Sequence, residues 1–158
     1  MILIKYIFIL SITFIFQIWT SEFFSLDTID PDFCIIVLLY ISIKDGGLTG
    51  VLFGFVIGLF LDLASGSNQF FGLTPLIYSS TGYFSGFLNG QSKKLSKMYF
   101  TLLWVLIIIC QFLVFSIIVY QDYLIHNQIS FIIKWFGTSL YTLTFLGILQ
   151  VIVPLHKL

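Results

Sequence analysis

Asp62 closes a series. Gly50, Gly54 and Gly58 recur every four residues inside an apolar run, and the carboxylate takes the next place. An ionisable group at membrane depth is costly and commonly functional, so Asp62 is a candidate for facing a partner helix or lining a cavity. At the headgroup level it would simply be hydrated. A second series, Gly82, Gly86 and Gly90, follows about one helix later. Each such glycine costs a helix roughly 1 kcal/mol against alanine. In lipid the usual compensation is close helix–helix contact along a small-residue face. At about 100° per residue the run from Gly50 to Asp62 winds slowly round its helix, which suits a right-handed crossing. The two faces predict that the third and fourth helices touch each other, or that one of them meets a partner. The 32-residue offset between the series hints at an internal repeat.

Other reactive side chains form no catalytic set. There is no His-Glu-x-x-His, no Gly-x-Ser-x-Gly and no phosphate-cradling glycine loop, so no enzyme activity is expected. Cys34 and Cys110 lie in apolar runs, where cysteine acts as a small hydrophobe. No Cys or His stands near either at ligand spacing, so neither a disulfide nor a metal or cofactor is expected. His126 and His156 fall outside the apolar runs and read as solvated. Gln17, Gln111 and Gln150 are single polar residues within spans, suited to interhelical hydrogen bonds worth about 0.6 kcal/mol each. Lys93, Lys94 and Lys97 make the one basic cluster, which fixes topology or attracts anionic lipid.

The elements that position these residues are membrane helices. Of 158 residues, 59% are hydrophobic and 9% charged, against about 25% charged in soluble domains. A span needs ~20 mostly apolar residues, so the chain accommodates six helices with short connections and no separate soluble domain. The spans fall at about 2–24, 29–44, 47–64, 70–89, 99–120 and 131–153, one all-α transmembrane domain. Residues 18–24 offer no small-x-small cleavage site, so the first run reads as an uncleaved helix. The second and third spans form a tight hairpin whose ends, including Asp32, Asp45 and Asp62, are expected near the membrane surfaces. Seven lysines balance seven acidic residues, and there is no arginine. That excludes a basic patch for nucleic acid.

Alternating the spans puts Lys5, Lys44, Lys93, Lys94, Lys97 and Lys157 on one side. Glu22, Asp27, Asp30, Asp32, Asp62 and Asp122 fall on the other, with Asp45 among the lysines. The positive-inside bias then makes both termini cytoplasmic. Lys134, the exception, sits about one turn inside its span and can snorkel outward.

Pro31-Asp32, then Lys44-Asp45-Gly46, then Gly50-xxx-Gly54-Phe55-xx-Gly58-Leu59-xx-Asp62-Leu63-xx-Gly66, and later Gly82-Tyr83-xx-Gly86 form an ordered set over residues 29–90. In these motifs the chain resembles the rod shape-determining protein MreD family. The resemblance implies a bacterial inner-membrane component of the cell-elongation and peptidoglycan-synthesis machinery. It would bind the single-span periplasmic scaffold MreC and help to organise MreB, RodA and a class B penicillin-binding protein. It also implies a fold resembling the six-helix substrate-binding subunits of energy-coupling-factor transporters, although a shared fold does not transfer function.

Two functions follow as expectations. One is a non-enzymatic scaffold whose glycine faces and acidic loops receive partner helices and domains, with a homodimer left open. The other is a small-molecule or ion-binding transport subunit with Asp62 or Asp45 lining a cavity. On the first, the stretch from Gly50 to Asp62 is a docking groove with an acidic rim.

Overall fold

The computed structural model describes residues 2–24, 29–66 and 70–157. The described chain is predominantly helical: α1 Ile2–Phe24, α2 Phe33–Asp45, α3 Gly47–Ser65, α4 Leu73–Gly86, α5 Lys97–Val119, the short α6 Gln121–His126, and α7 Gln128–Ile152. Single 3-10 turns at Gln91–Lys93 and Leu155–Lys157 meet each other. Three helices, α3, α5 and α7, are long and apolar enough to cross a membrane, and α1 holds a shorter apolar segment, Phe8–Trp19.

Local chemistry sets the helix ends. Asp32 caps α2 by accepting from the Ile35 amide at 3.0 Å, so this helix starts at Phe33 rather than near 29. Asn127 caps α7 through the Ser130 amide at 3.2 Å, and the helix begins three residues before the expected start at 131. α4 is shorter than the 70–89 run that contains it, because the chain reaches helical geometry only after Gly72 and leaves it at Gly86. Pro75 lies in its first turn, where the missing N–H has no helical partner to lose. Between α2 and α3 the chain reverses on Gly46, whose φ of 91° lies in the left-handed region that disfavours side chains.

Helix lengths differ sharply. With 13 and 14 residues, α2 and α4 are about 20 Å long, against ~35 Å for the 23-residue α5. α2 is also hydrophobic nearly all round, and Ile35, Leu38 and Leu39 have no exposed surface. Such a helix belongs in the centre. It packs on α1, α3, α4 and α7, and its side chains join Trp104 and Ile108 of α5 and Leu146 of α7 in one core.

α3 and α4 form the closest pair in the bundle. A Cβ added to Gly50 would lie under 3.0 Å from the Gly82 carbonyl, and one on Gly82 would strike the Gly50 carbonyl in return. Gly54 meets the Tyr78 backbone, Gly58 meets Pro75, and Gly86 meets Gly47, all at the same forbidden spacing. The order is antiparallel, and each contact along α3 lies three or four residues from the last. The mutual Cα-to-carbonyl facing at Gly50 and Gly82 is the geometry of weak Cα–H···O contacts. The two glycine series face each other in an antiparallel ladder that pairs Gly54 with Tyr78, and Gly90 lies beyond α4. The opposite side of α3 is built differently. Phe53 and Phe60 meet Tyr6 and Phe14 of α1 with ring centroids 5.1 and 5.8 Å apart.

The bundle has two chemically distinct ends. At one, Lys44 lies in the last turn of α2, Lys93 and Lys94 lie between α4 and α5, and Lys97 opens α5. Here Tyr6 of α1 donates to Asp45. Asn89 donates to the carbonyls of Ile43 and Lys44 at 2.8 and 2.7 Å, and Tyr40 donates to the Val153 carbonyl at 2.6 Å. The start of α1, the α2–α3 turn, the exit of α4 and the end of α7 therefore share this lysine end. At the other, acidic end stand Asp30, Asp32, Asp62 and Asp122.

Candidate functional site

A cavity of about 440 Å³ opens at the acidic end. Its origin is the mismatch of helix lengths. The Gln17 side chain, seven residues before the end of α1, donates to the Pro31 carbonyl at 3.1 Å and accepts from the Phe33 amide at 2.8 Å. The Asp32 amide donates to the Thr142 hydroxyl at 3.1 Å, fourteen residues into α7. At ~1.5 Å per residue, Asp32 thus lies roughly 10 Å below the end of α1 and 20 Å below the start of α7. The longer helices rise past the start of α2 and enclose a recess.

Asp32 is thus set back from the ends of the neighbouring helices. The short α2 does not reach the level of its neighbours' ends, and polar side chains from three other helices meet its start. Tyr78 of α4 donates to Asp32 Oδ2, and the Ile35 amide engages Oδ1. Phe33, next in sequence, packs edge-on against Phe16 and Phe145, each centroid 5.0 Å away.

Asp62 lines the same cavity and is 7% exposed. Its Oδ2 accepts from the Gly72 amide at 2.6 Å. The carboxylate continues the glycine ladder: Gly58 faces Pro75, and one turn on, where α4 has already ended, Asp62 meets the amide that precedes it. A carboxylate at a helix N-terminus also complements the helix dipole. Where the sequence pattern suggests an acidic rim, the structure has a buried carboxylate that joins two helices.

The cavity brings together Pro31, Asp32 and Asp62 from the motif positions, with Asp30, Gln17, Gln111, Tyr78, Ser116, Tyr120 and Thr138. Phe112, Phe115 and Phe70 supply apolar wall. Other motif residues lie elsewhere. Asp45 and Gly46 sit at the lysine end. Gly66 terminates α3 with φ 62°. Tyr83 is exposed beside α3 and stacks edge-on with Phe84 and Phe87. Gly50, Gly54, Gly58, Gly82 and Gly86 are all taken up in the α3–α4 contact, the first of the two alternatives that their spacing leaves open. A backbone already occupies the groove.

Sequence reasoning passes over Tyr78 and Thr142, which look like ordinary amphipathic residues of apolar spans. Gln17 gives a signal as a lone amide in a span, and it does bridge helices. Gln111 gives the same signal, yet its buried Oε1 has no hydrogen-bond partner among the described residues. Lys134 does not enter the cavity. Its ammonium lies 4.6 Å from the ring centroids of both Tyr120 and Tyr123, a cation–π arrangement at the rim.

The fold and site define a helical bundle with membrane-crossing helices and a polar recess reaching into its interior. The model of the family of the rod shape-determining protein MreD matches residues 1–156, essentially the whole chain, and the chain belongs to that family. Its role is in rod shape determination. No curated protein and no solved structure matches the chain.

Proposed function

We propose that the protein is a non-enzymatic scaffold of the cell-elongation complex, binding an MreC-like single-span partner and helping to organise MreB, RodA and a class B penicillin-binding protein. The observation that carries this reading is the family match over residues 1–156. The connections between helices are short, so binding would fall to the lateral helix faces and the two ends. With the α3–α4 groove filled, the face to consider is the outer side of α1, where Phe8, Ile12, Ile15, Trp19 and Phe23 are exposed. α1 is held to α3 by aromatic side chains rather than by backbone contact.

On this reading the chain crosses the bacterial inner membrane six times, with α2 and α4 as short crossings shielded by the others. The lysine end, with both termini, is cytoplasmic. The fold then resembles the substrate-binding subunits of energy-coupling-factor transporters. The test is retention of the host's MreC-like protein by the affinity-tagged chain after detergent extraction. Retention, with photo-crosslinks from Ile15 or Trp19, is the expected result. Purification without the partner, in cells that stay rod-shaped when the chain is depleted, would overturn the reading.

A further inference from the structure

We propose that a groove at the lysine end, between α1, α2 and α7, binds one membrane phospholipid with an ethanolamine headgroup. The groove, about 350 Å³, follows from how these helices pack. α1 and α7 both lie against α2, and the groove runs between them over one face of α2. Ile36, Val37, Tyr40, Ile41 and Lys44 share that face at helical spacing, with Ile9 of α1 and Leu149 of α7 as walls.

The shape selects a hydrocarbon chain. From Ile36 to Lys44 the floor is about 12 Å long, so the mean cross-section is roughly 30 Å². One acyl chain fits such a slot, whereas a helix, about 10 Å across, does not. The bilayer core offers hydrocarbon and no water to an apolar groove. The proposal takes from the reading above only that these helices cross the membrane, and it needs no protein partner.

The mouth selects the headgroup. Lys44 and Asp45 are exposed there, beside Tyr6 and Tyr40. Tyrosines collect at the level where the chains give way to headgroups. Both hydroxyls are engaged within the chain, Tyr6 donating to Asp45 Oδ2 and Tyr40 to the Val153 carbonyl. The Lys44 ammonium has no partner among the described residues, and Asp45 keeps Oδ1 as an acceptor. One cation and one anion thus stand side by side at the end of an apolar slot. A phosphate can accept from Lys44 while a primary ammonium donates to Asp45, both of them charge-assisted contacts. An anionic headgroup would set a second negative group against Asp45, and a choline has no N–H to donate.

The experiment titrates the purified full chain in neutral detergent with the dioleoyl forms of phosphatidylethanolamine, phosphatidylcholine and phosphatidylglycerol. Native mass spectrometry reads the one-to-one lipid complexes. Phosphatidylethanolamine is expected to bind several-fold more tightly than the other two. Lys44→Gln and Asp45→Asn change exposed side chains, so each should fold. Each should weaken phosphatidylethanolamine binding about tenfold, the loss expected for one charge-assisted contact. Lys93→Gln, outside the groove, should leave it parental. Leu149→Trp fills the slot from a partly exposed position and should abolish binding while the lipid-free Tm stays parental. Equal affinity for the three lipids, a preference for phosphatidylglycerol, or parental affinity in either charge variant would overturn the proposal. So would an equal loss in Lys93→Gln or persistent binding in Leu149→Trp. Partner retention is measured separately, so failure here leaves the scaffold reading standing.

Discussion

The α3–α4 contact and the acidic-end cavity adjoin along α3 and are built on opposite principles. Along Gly50, Gly54 and Gly58 the two backbones touch, with only the Ser42 hydroxyl of α2 also closing on Gly50. From Asp62 onward the same helix faces a polar void, bounded by side chains from five helices. Glycine removes the spacer that normally holds helices 8–10 Å apart, and it gives van der Waals contact where lipid gives no hydrophobic drive. Around Asp32 the spacing is instead set by a helix that stops short, and hydrogen bonds between helices hold the recess open. Rigidity comes from backbone contact in one region and from polar bridges in the other, and only the second leaves a void.

The contrast can be broken most forcefully in the ladder. Gly54→Leu drives a side chain into the Tyr78 backbone, and overpacking of this kind costs about 3 kcal/mol or more where backbone cannot retreat. We expect it to collapse the folded yield in detergent, while Gly147→Leu, with open space at that position, leaves yield and Tm near parental. Similar melting curves for the two variants would show that the helices are not in backbone contact.

A smaller effect is expected from Tyr78→Phe, which removes one hydroxyl and leaves Asp32 Oδ2 without that donor. A hydrogen bond to a charged group is worth about 2 kcal/mol, so Tm should fall clearly while the protein remains folded. An unchanged Tm would mean that the polar bridge does not help to hold the recess. The smallest effect is at the rim. Lys134→Met deletes the cation over Tyr120 and Tyr123, worth about 0.5–1 kcal/mol. It should lower Tm slightly and leave the ladder intact; a loss as large as that of Gly54→Leu would make the rim, not the ladder, the mechanical centre.

Much of the ladder is legible in the sequence. Glycines at every fourth position mark one helix face, and two such series on successive spans can satisfy each other. Even the role of Asp62 follows in part, because it continues the series where the facing helix has ended. The cavity is not legible in this way. Asp32 reads as the residue after Pro31 at a helix start, which suits a capping role and conceals its depth. Gln111 reads as another interhelical bridge, and nothing in its neighbours says that its oxygen has no hydrogen-bond partner among the described residues.

By itself the sequence determined a membrane-type helical protein, the order of its helices, the asymmetry of its lysines, and two glycine faces needing company. These are local properties, fixed by composition and by a period of 3.6 residues. The tertiary structure decided that the faces meet each other, that Asp32 lies deep among longer helices, and that Asp30, Asp32 and Asp62 line one recess. Those facts depend on relative helix length and on contacts such as Asp32 to Thr142, 110 residues apart. No local pattern encodes that depth, because it exists only once the longer helices stand beside the short one.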